Sequence, residues 1–141
     1  KAIDSFQSHA TSNPNAIAQH AAVRALNSPE AQVQEMVARF EKRRLCMIER
    51  ISEFQGAYCI IPDGAFYAML YVKDFYGKRF DNCLITDSTS FADTLLEAAK
   101  VAVIPGAAFG ADECVRLSYS LSMEEMLEGL DRIDAFLMSL Q

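Results

Sequence analysis

An arginine stands in the middle of a stretch whose composition predicts a β-strand. Residues 114–120 read CVRLSYS, with Arg116 between Val115 and Leu117. Because side chains alternate across a strand, Val115, Leu117 and Tyr119 share one face and Arg116 points to the other. A guanidinium is a rigid fork that binds a carboxylate through two parallel hydrogen bonds. Arg116 is therefore a candidate clamp for an anionic small molecule. The alternatives are a salt bridge to a carboxylate elsewhere in the chain, or a solvent-facing arginine on an edge strand.

Other residues are weaker candidates for contact with a ligand. Gly106 and Gly110 in PGAAFG tolerate positive φ, so the backbone there can approach a ligand closely, although a turn is the usual role of such a loop. The TSNP segment offers polar groups at a helix N-terminus, where anions are favoured, yet Asn13 by default caps its own helix. His9 and His20 have no partners at metal-ligand spacing, and the sequence predicts no metal site.

Composition narrows the class of protein. The chain has 141 residues, of which 51% are hydrophobic, enough for a sizeable core in one compact domain. Its net charge of -6 argues against a nucleic-acid partner and against an anionic membrane surface. The basic residues between Arg39 and Arg50 alternate with acidic ones, which predicts a solvated helix face.

Cysteine spacing and hydropathy bear on the compartment. The four cysteines are widely spaced and form no C-x-x-C pair, which favours free thiols in a reducing cytoplasm. No apolar stretch is long enough to span a bilayer, and the first ten residues lack the plan of a signal peptide. The sequence starts with Lys1, which suggests a segment of a longer protein.

Two helices are predicted in the first part of the chain. Asn13 and Ser28 each precede a proline, so each places a capping side chain ahead of a proline at the first helical position. A short helix is therefore predicted over residues 14–26. Apolar residues then recur at the spacing of one helical face, which predicts a long helix from about residue 29 to Gly56.

The second part predicts strands and two more helices. AYCII and FYAMLYV are rich in β-branched and aromatic residues, and PDGA between them supplies a turn, so they predict a hairpin. A polar loop with room for a short extra strand leads to a helix over residues 90–100. VAVI predicts a short buried strand, and the VRLSYS strand follows. Ser122 and Glu125 form a capping box that opens a last helix reaching about residue 140.

This order of elements, ααββαββα, predicts an α+β fold. We expect a sheet of about four strands, mainly antiparallel, with helices packed on it and a long helix before it. Fold alone fixes no function.

Several motifs, taken in order, resemble those of one enzyme family. QSHATSNPNAIAQHAAVRAL, a long charged helix, PDGAFYAML, AAKVAVIPGAAFG, VRLSYS and SMEEMLEGLDRI are similar to the C-terminal part of pyridoxal-phosphate-dependent aspartate and aromatic aminotransferases. The resemblance covers essentially all 141 residues. It implies that the chain has the fold of the small domain of a class I aminotransferase of fold type I. Residues 1–28 would border the large domain and the dimer interface, and residues 29–141 would form the C-terminal small domain.

The resemblance also implies roles for individual residues. The arginine of the VRLSY strand binds the substrate α-carboxylate in this family, and that role falls on Arg116. Phe66 and Phe109 would be walls on the substrate side of the pocket. Three residues of TSNP would lie near the active site at the dimer interface and help to complete a site, either that of their own subunit or that of the partner subunit: Thr11, Ser12 and Asn13.

The family's cofactor is pyridoxal 5'-phosphate, bound through a Schiff base to a lysine of the large domain. The resemblance implies that this lysine lies upstream of Lys1, and none of Lys42, Lys73, Lys78 and Lys100 stands in the required motif. The chain alone is therefore expected to bind no cofactor and to be inactive, whereas the full-length protein would be a cytoplasmic homodimer.

The implied substrates are an amino acid and a 2-oxo acid. L-aspartate is the first expectation, with aromatic amino acids, alanine and others behind it. Two alternatives to an enzyme remain open at this point. One is a stand-alone regulatory module that binds a small carboxylate through Arg116 without catalysis. The other is a structural dimerisation fragment, in which Arg116 has no ligand.

Overall fold

The first helices of the chain lie in a unit of their own. The computed structural model describes residues 1–11 and 13–141, and these divide into the units Lys1–Met36 and Val37–Gln141. Helices α1 (Ala2–Ala10) and α2 (Ala16–Leu26) belong to the first unit, and neither has a buried residue. No helix or strand is predicted from the sequence for the segment that forms α1. Apolar side chains of both helices are exposed to solvent, including Phe6 and Leu26.

The capping residues of the early helices differ from those predicted. Helix α2 starts two residues later than predicted, because Asn15 and not Asn13 is its N-cap. The Asn15 side chain accepts hydrogen bonds from the N–H groups of Ile17 and Ala18, at 2.9 and 3.2 Å. The next helix begins at Ala31, two residues later than predicted, and the Ser28 hydroxyl donates to the Arg24 carbonyl at 2.7 Å.

The described residues contain five α-helices, two short 3-10 helices and six strands, and a four-stranded sheet is the centre of the second unit. Helix α3 spans Ala31–Ser52, α4 spans Ser88–Ala99 and α5 spans Met123–Ser139. The main sheet has the order β1-β2-β6-β5 with all neighbouring pairs antiparallel: β1 Tyr58–Ile60, β2 Tyr67–Tyr71, β5 Ile104–Pro105 and β6 Cys114–Ser118. A separate hairpin contains β3 (Arg79–Phe80) and β4 (Cys83–Leu84). The predicted α+β fold and the β1–β2 hairpin are confirmed, and the loop predicted to have room for one short extra strand contains two.

The predicted buried strand VAVI is wrong in extent and in burial. Only Ile104–Pro105 pairs with β6, and Ile104 is 44% exposed. Lys100 ends α4 in the left-handed region, with φ 58, and the residues between it and Ile104 are not in a strand. β5 is then an edge strand of two residues.

The helices pack on one face of the main sheet. Paired residues of β2 and β6 are buried on that face, Leu70 opposite Val115 and Ala68 opposite Leu117. They join one core cluster with buried residues of the three long helices: Met47, Ile51, Phe91, Leu95, Met126, Leu130, Ile133, Phe136 and Leu137. Because side chains alternate, the other face of the sheet carries Tyr67, Met69 and Arg116.

An arginine of α3 links that helix to α5. The Arg50 guanidinium lies 3.0 Å from the Asp131 carboxylate and 2.8 Å from that of Asp134, and its side chain is only 21% exposed. The prediction of a solvated face is therefore wrong at this position. One face of α3 is apolar and packs in the core. Beside that face, Arg50 contacts acidic residues of α5.

The capping carboxylates of α4 and α5 make stability sensitive to acid. Asp87 accepts the Ser90 N–H at 2.7 Å, and Glu125 accepts the Ser122 N–H at 3.1 Å in the predicted capping box. Hydrogen bonds from the Ser90 N–H and hydroxyl lower the pKa of Asp87, and hydrogen bonds from Ser122 lower the pKa of Glu125. These contributions are complete above the unfolded-state pKa and are lost as pH falls through the lowered folded-state pKa.

We expect Glu125→Gln to show this directly in urea unfolding of the full-length protein. The midpoint difference between wild type and variant should be present at about pH 7 and shrink as the pH falls through the lowered folded-state pKa of Glu125, because the wild-type carboxylate then becomes protonated. Glu124→Gln, which removes a neighbouring carboxylate outside the capping box, is the control. A midpoint difference that does not change with pH would contradict the prediction.

Candidate functional site

Arg116 lies on an interior strand of the main sheet. β6 is hydrogen-bonded to β2 on one side and to β5 on the other, and Arg116 is paired with Met69 and Ile104. The predicted face is confirmed, because Val115 and Leu117 are 0% and 6% exposed, whereas Arg116 is only partly buried. The edge-strand alternative is therefore wrong.

Two aromatic rings lie against the Arg116 guanidinium. Its Cζ atom is 4.1 Å from the centroid of the Tyr67 ring and 4.4 Å from that of Phe109. Such cation–π contacts stabilise the charge and hold the planar group in place without using its N–H donors. Within residues 1–11 and 13–141, no carboxylate forms an ion pair with Arg116 and no group accepts its hydrogen bonds. The fork is thus held by rings, with its donors available to a ligand.

Tyr67 is the site residue that sequence reasoning missed. No role in a site is predicted for Tyr67 from the sequence, although the alternation of side chains along β2 indicates which face of the strand Tyr67 occupies. In the register of β2 and β6, Tyr67 pairs with Ser118 and Met69 pairs with Arg116, so Tyr67 is diagonal to Arg116 on the same face. Diagonal neighbours are within reach of aromatic and long side chains. Register is set by three-dimensional pairing, so the sequence alone did not identify this contact.

Phe66 is one ring removed from Arg116. It is 39% exposed, and its ring centroid lies 4.4 Å from that of Tyr67 at an angle of 46°. The loop before it is tied down by two hydrogen bonds, from the Tyr119 hydroxyl to the Ala65 carbonyl at 3.2 Å and from Arg44 to the Pro62 carbonyl at 3.0 Å. Burial raises the pKa of Tyr119, which keeps its hydroxyl a neutral donor.

Phe109 is presented by a short 3-10 helix, Gly106–Phe109, that ends at Gly110. Gly110 has φ +74, as expected for a residue that ends the turn in the left-handed region. Gly106 has a different reason to be glycine. A Cβ atom there would lie 2.0 Å from the Ala111 carbonyl oxygen and 2.3 Å from that of Cys114. The close approach is therefore to the chain's own backbone, and the turn places Phe109, itself 50% exposed, over Arg116.

Thr11 and Asn13 of the TSNP segment lie in the first unit. Thr11 ends α1, with its N–H donating to the Gln7 carbonyl at 2.8 Å, and both Thr11 and Asn13 are exposed. Ser12 lies outside the described residues. Their place in a pocket stays a prediction.

The described residues also set limits on other chemistry. They contain no group of three or more His, Cys, Asp or Glu side chains arranged to hold a metal ion. None of their helices is both long and apolar enough to cross a membrane. Cys114 is buried, and burial raises its pKa, so this thiol near the site is a packing group.

Comparisons with known proteins give the chain a family. Residues 1–133 match the family described as Aminotransferase class I and II. The chain is 39% identical over 136 residues to the aspartate aminotransferase of Bacillus subtilis (strain 168), a match that covers 96% of this chain and 34% of that protein. The chain therefore spans about a third of the length of the curated relatives that it matches, and it covers 34% of the length of the first of them.

Solved structures agree with the sequence match. The crystal structure of the aspartate aminotransferase from Rhizobium meliloti superposes with a TM-score of 0.90 at 39% identity, covering 96% of this chain and 34% of that one. An aspartate aminotransferase from Thermus thermophilus, solved with maleate, gives a TM-score of 0.79 at 33% identity, covering 93% and 32%. With a family match over nearly its whole length and the same fold in these enzymes, the chain belongs to the class I and II aminotransferases.

Proposed function

We propose that this chain is the C-terminal part of a pyridoxal-phosphate-dependent aminotransferase in which Arg116 binds the α-carboxylate of the substrate. The enzyme moves an amino group between an amino acid, expected to be L-aspartate, and a 2-oxo acid. The observation that carries the proposal is the Arg116 guanidinium, held by Tyr67 and Phe109 and unpaired with any carboxylate of the described residues.

One clamp serves both half-reactions. An amino acid and its 2-oxo acid both present an α-carboxylate, so the same two parallel N–H···O hydrogen bonds orient either substrate. The rings of Tyr67 and Phe109 orient the guanidinium without placing an anion beside it. Its donors can therefore exchange one substrate for another, which a permanent internal salt bridge would oppose. The relative from Thermus thermophilus was solved with maleate, itself a dicarboxylate.

The residues around Arg116 fit the substrate and not the cofactor. When bound, pyridoxal phosphate supplies an electron sink that is joined to the enzyme by a lysine Schiff base. Lysines of the second unit are engaged or exposed elsewhere: Lys78 lies over the Phe75 ring at 5.4 Å, and Lys100 donates to the Glu97 carbonyl at 2.8 Å. We therefore assign the Schiff-base lysine to the part of the protein outside these 141 residues.

Exposed apolar residues support a larger protein around this chain. In the unit Lys1–Met36, large apolar side chains are at least half exposed, a pattern typical of surfaces that another domain or subunit covers: Ile3, Phe6, Ile17, Val23, Leu26, Val33 and Met36. We propose that residues 1–28 border the large domain and the interface of a homodimer, and that residues 29–141 form the small domain. On this proposal Thr11, Ser12 and Asn13 help to complete a site, and Phe66 and Phe109 are walls of the pocket. The cytoplasmic location stays a prediction.

The 141-residue chain alone is expected to show no turnover of L-aspartate with 2-oxoglutarate, because it lacks the Schiff-base lysine. The full-length protein, loaded with pyridoxal phosphate, is expected to show it in a coupled assay for oxaloacetate. Turnover by the isolated chain would contradict the assignment of the lysine to the missing part. Carboxylate binding without pyridoxal phosphate, by a protein whose coding sequence starts next to Lys1, would favour the non-catalytic module.

A further inference from the structure

A buried hydroxyl at the start of α4 is bonded to polar partners from the segment that precedes β6. Ser88 is the first residue of α4 and is 0% exposed. Its Oγ atom donates to Oδ1 of Asp112 at 2.6 Å and accepts the Ala107 N–H at 3.1 Å. The Ser88 N–H donates to the same carboxylate oxygen at 3.1 Å. A buried polar group so fully bonded fixes the groups around it, since breaking any one bond leaves another unsatisfied.

These bonds join the two segments that form the clamp. Ala107 lies within the 3-10 turn that ends in Phe109, and Asp112 lies in the short connection from that turn to β6, the strand of Arg116. The connection is also held from a third side, because the Tyr76 hydroxyl donates to the Asp112 carbonyl. Burial raises the pKa of Tyr76, so this donor is neutral.

We infer that Ser88 and Asp112 are positioning residues that fix Phe109 against the Arg116 guanidinium and so set the orientation of the carboxylate clamp. The inference rests on the proposed role of Arg116. Phe109 is 50% exposed, so packing alone constrains it little, and its backbone is anchored through Ala107 to the N-terminus of α4. A carboxylate at a helix N-terminus is itself favoured by the free N–H groups there, which makes Asp112 a firm anchor.

The matched pair Asp112→Ala and Asp112→Asn tests the anchor in the full-length protein. Asparagine keeps the Oδ1 acceptor for both Ser88 bonds, whereas alanine removes it. We expect Asp112→Ala to raise the Kd of succinate, an unreactive dicarboxylate, about tenfold by titration calorimetry, and Asp112→Asn to stay within about twofold. Asp131→Ala, which removes an exposed carboxylate bonded to Arg50 on the other side of the core, is expected to leave the Kd unchanged.

A double-mutant cycle with Phe109→Ala separates positioning from general stability. If Asp112 acts through Phe109, adding Asp112→Ala to Phe109→Ala costs little further affinity, because the ring it positions is already gone. Additive losses, or a wild-type Kd in Asp112→Ala, would overturn the inference. Should Asp112→Ala fail to fold, a wild-type Kd in Phe109→Ala overturns it instead.

The inference and the proposed function fail differently. If Arg116→Ala weakens succinate binding and Asp112→Ala does not, Arg116 binds the carboxylate as proposed and the positioning role of Asp112 is wrong. If Arg116→Ala binds succinate like the wild type, the proposed function itself falls, and the positioning role falls with it.

Discussion

Replacing Arg116 by alanine is expected to weaken succinate binding by the full-length protein about a hundredfold, and to raise the KM of the amino acid and of the 2-oxo acid together. Hydrogen bonds between charged partners are the strong ones, and a bidentate pair loses both at once. Both substrates should be affected because both present the same α-carboxylate. Calorimetry of succinate and steady-state kinetics with each substrate varied in turn measure the effect.

Arg116→Lys separates charge from geometry. Lysine keeps the positive charge but lacks the planar fork and its stacking on Tyr67 and Phe109, so we expect it to recover only a small part of the lost affinity. Arg132→Ala is the matched control. Arg132 lies on α5, pairs with Glu128 of the same helix and is 46% exposed, so its loss should leave substrate binding unchanged. Equal effects of Arg116→Ala and Arg132→Ala would argue for a nonspecific effect of charge.

Replacing Gly106 by alanine is expected to lower the free energy of unfolding by about 3 kcal/mol, at the upper end of the usual cost of overpacking. The new Cβ would lie 2.0 Å from the Ala111 carbonyl oxygen and 2.3 Å from that of Cys114. Both obstacles are backbone atoms, so no side-chain rotation relieves the contact and the turn itself must move. Phe109 sits on that turn, and we therefore expect weaker succinate binding as well.

Gly129→Ala is the control for this substitution. Gly129 lies within α5, and no atom stands within 4 Å of an added Cβ. Alanine there should stabilise the protein by about 0.5 to 1 kcal/mol, because it is the better helix former. Urea unfolding of both variants measures the two changes. A Gly106→Ala variant as stable as the wild type would mean that the turn adapts at little cost.

Local signals predicted most of the elements. The capping box of Ser122 and Glu125 opens α5 where the sequence places it, because both partners stand within four residues of each other. Alternation assigned Arg116 to the face opposite Val115 and Leu117. Local signals were wrong where two nearby residues could each cap the same helix. Asn15 caps α2 in place of Asn13, a choice that hydrogen-bond geometry decides and spacing does not.

By itself, then, the sequence determined the α+β class, the face that carries Arg116 and, through ordered motifs, the family. The tertiary structure decided what surrounds Arg116. Tyr67 reaches it through the register of β2 and β6, and Phe109 reaches it through a turn that Ser88 and Asp112 hold from α4. Such contacts join residues of different elements of the fold. They depend on strand pairing and on buried hydrogen bonds, which no periodicity within a segment encodes.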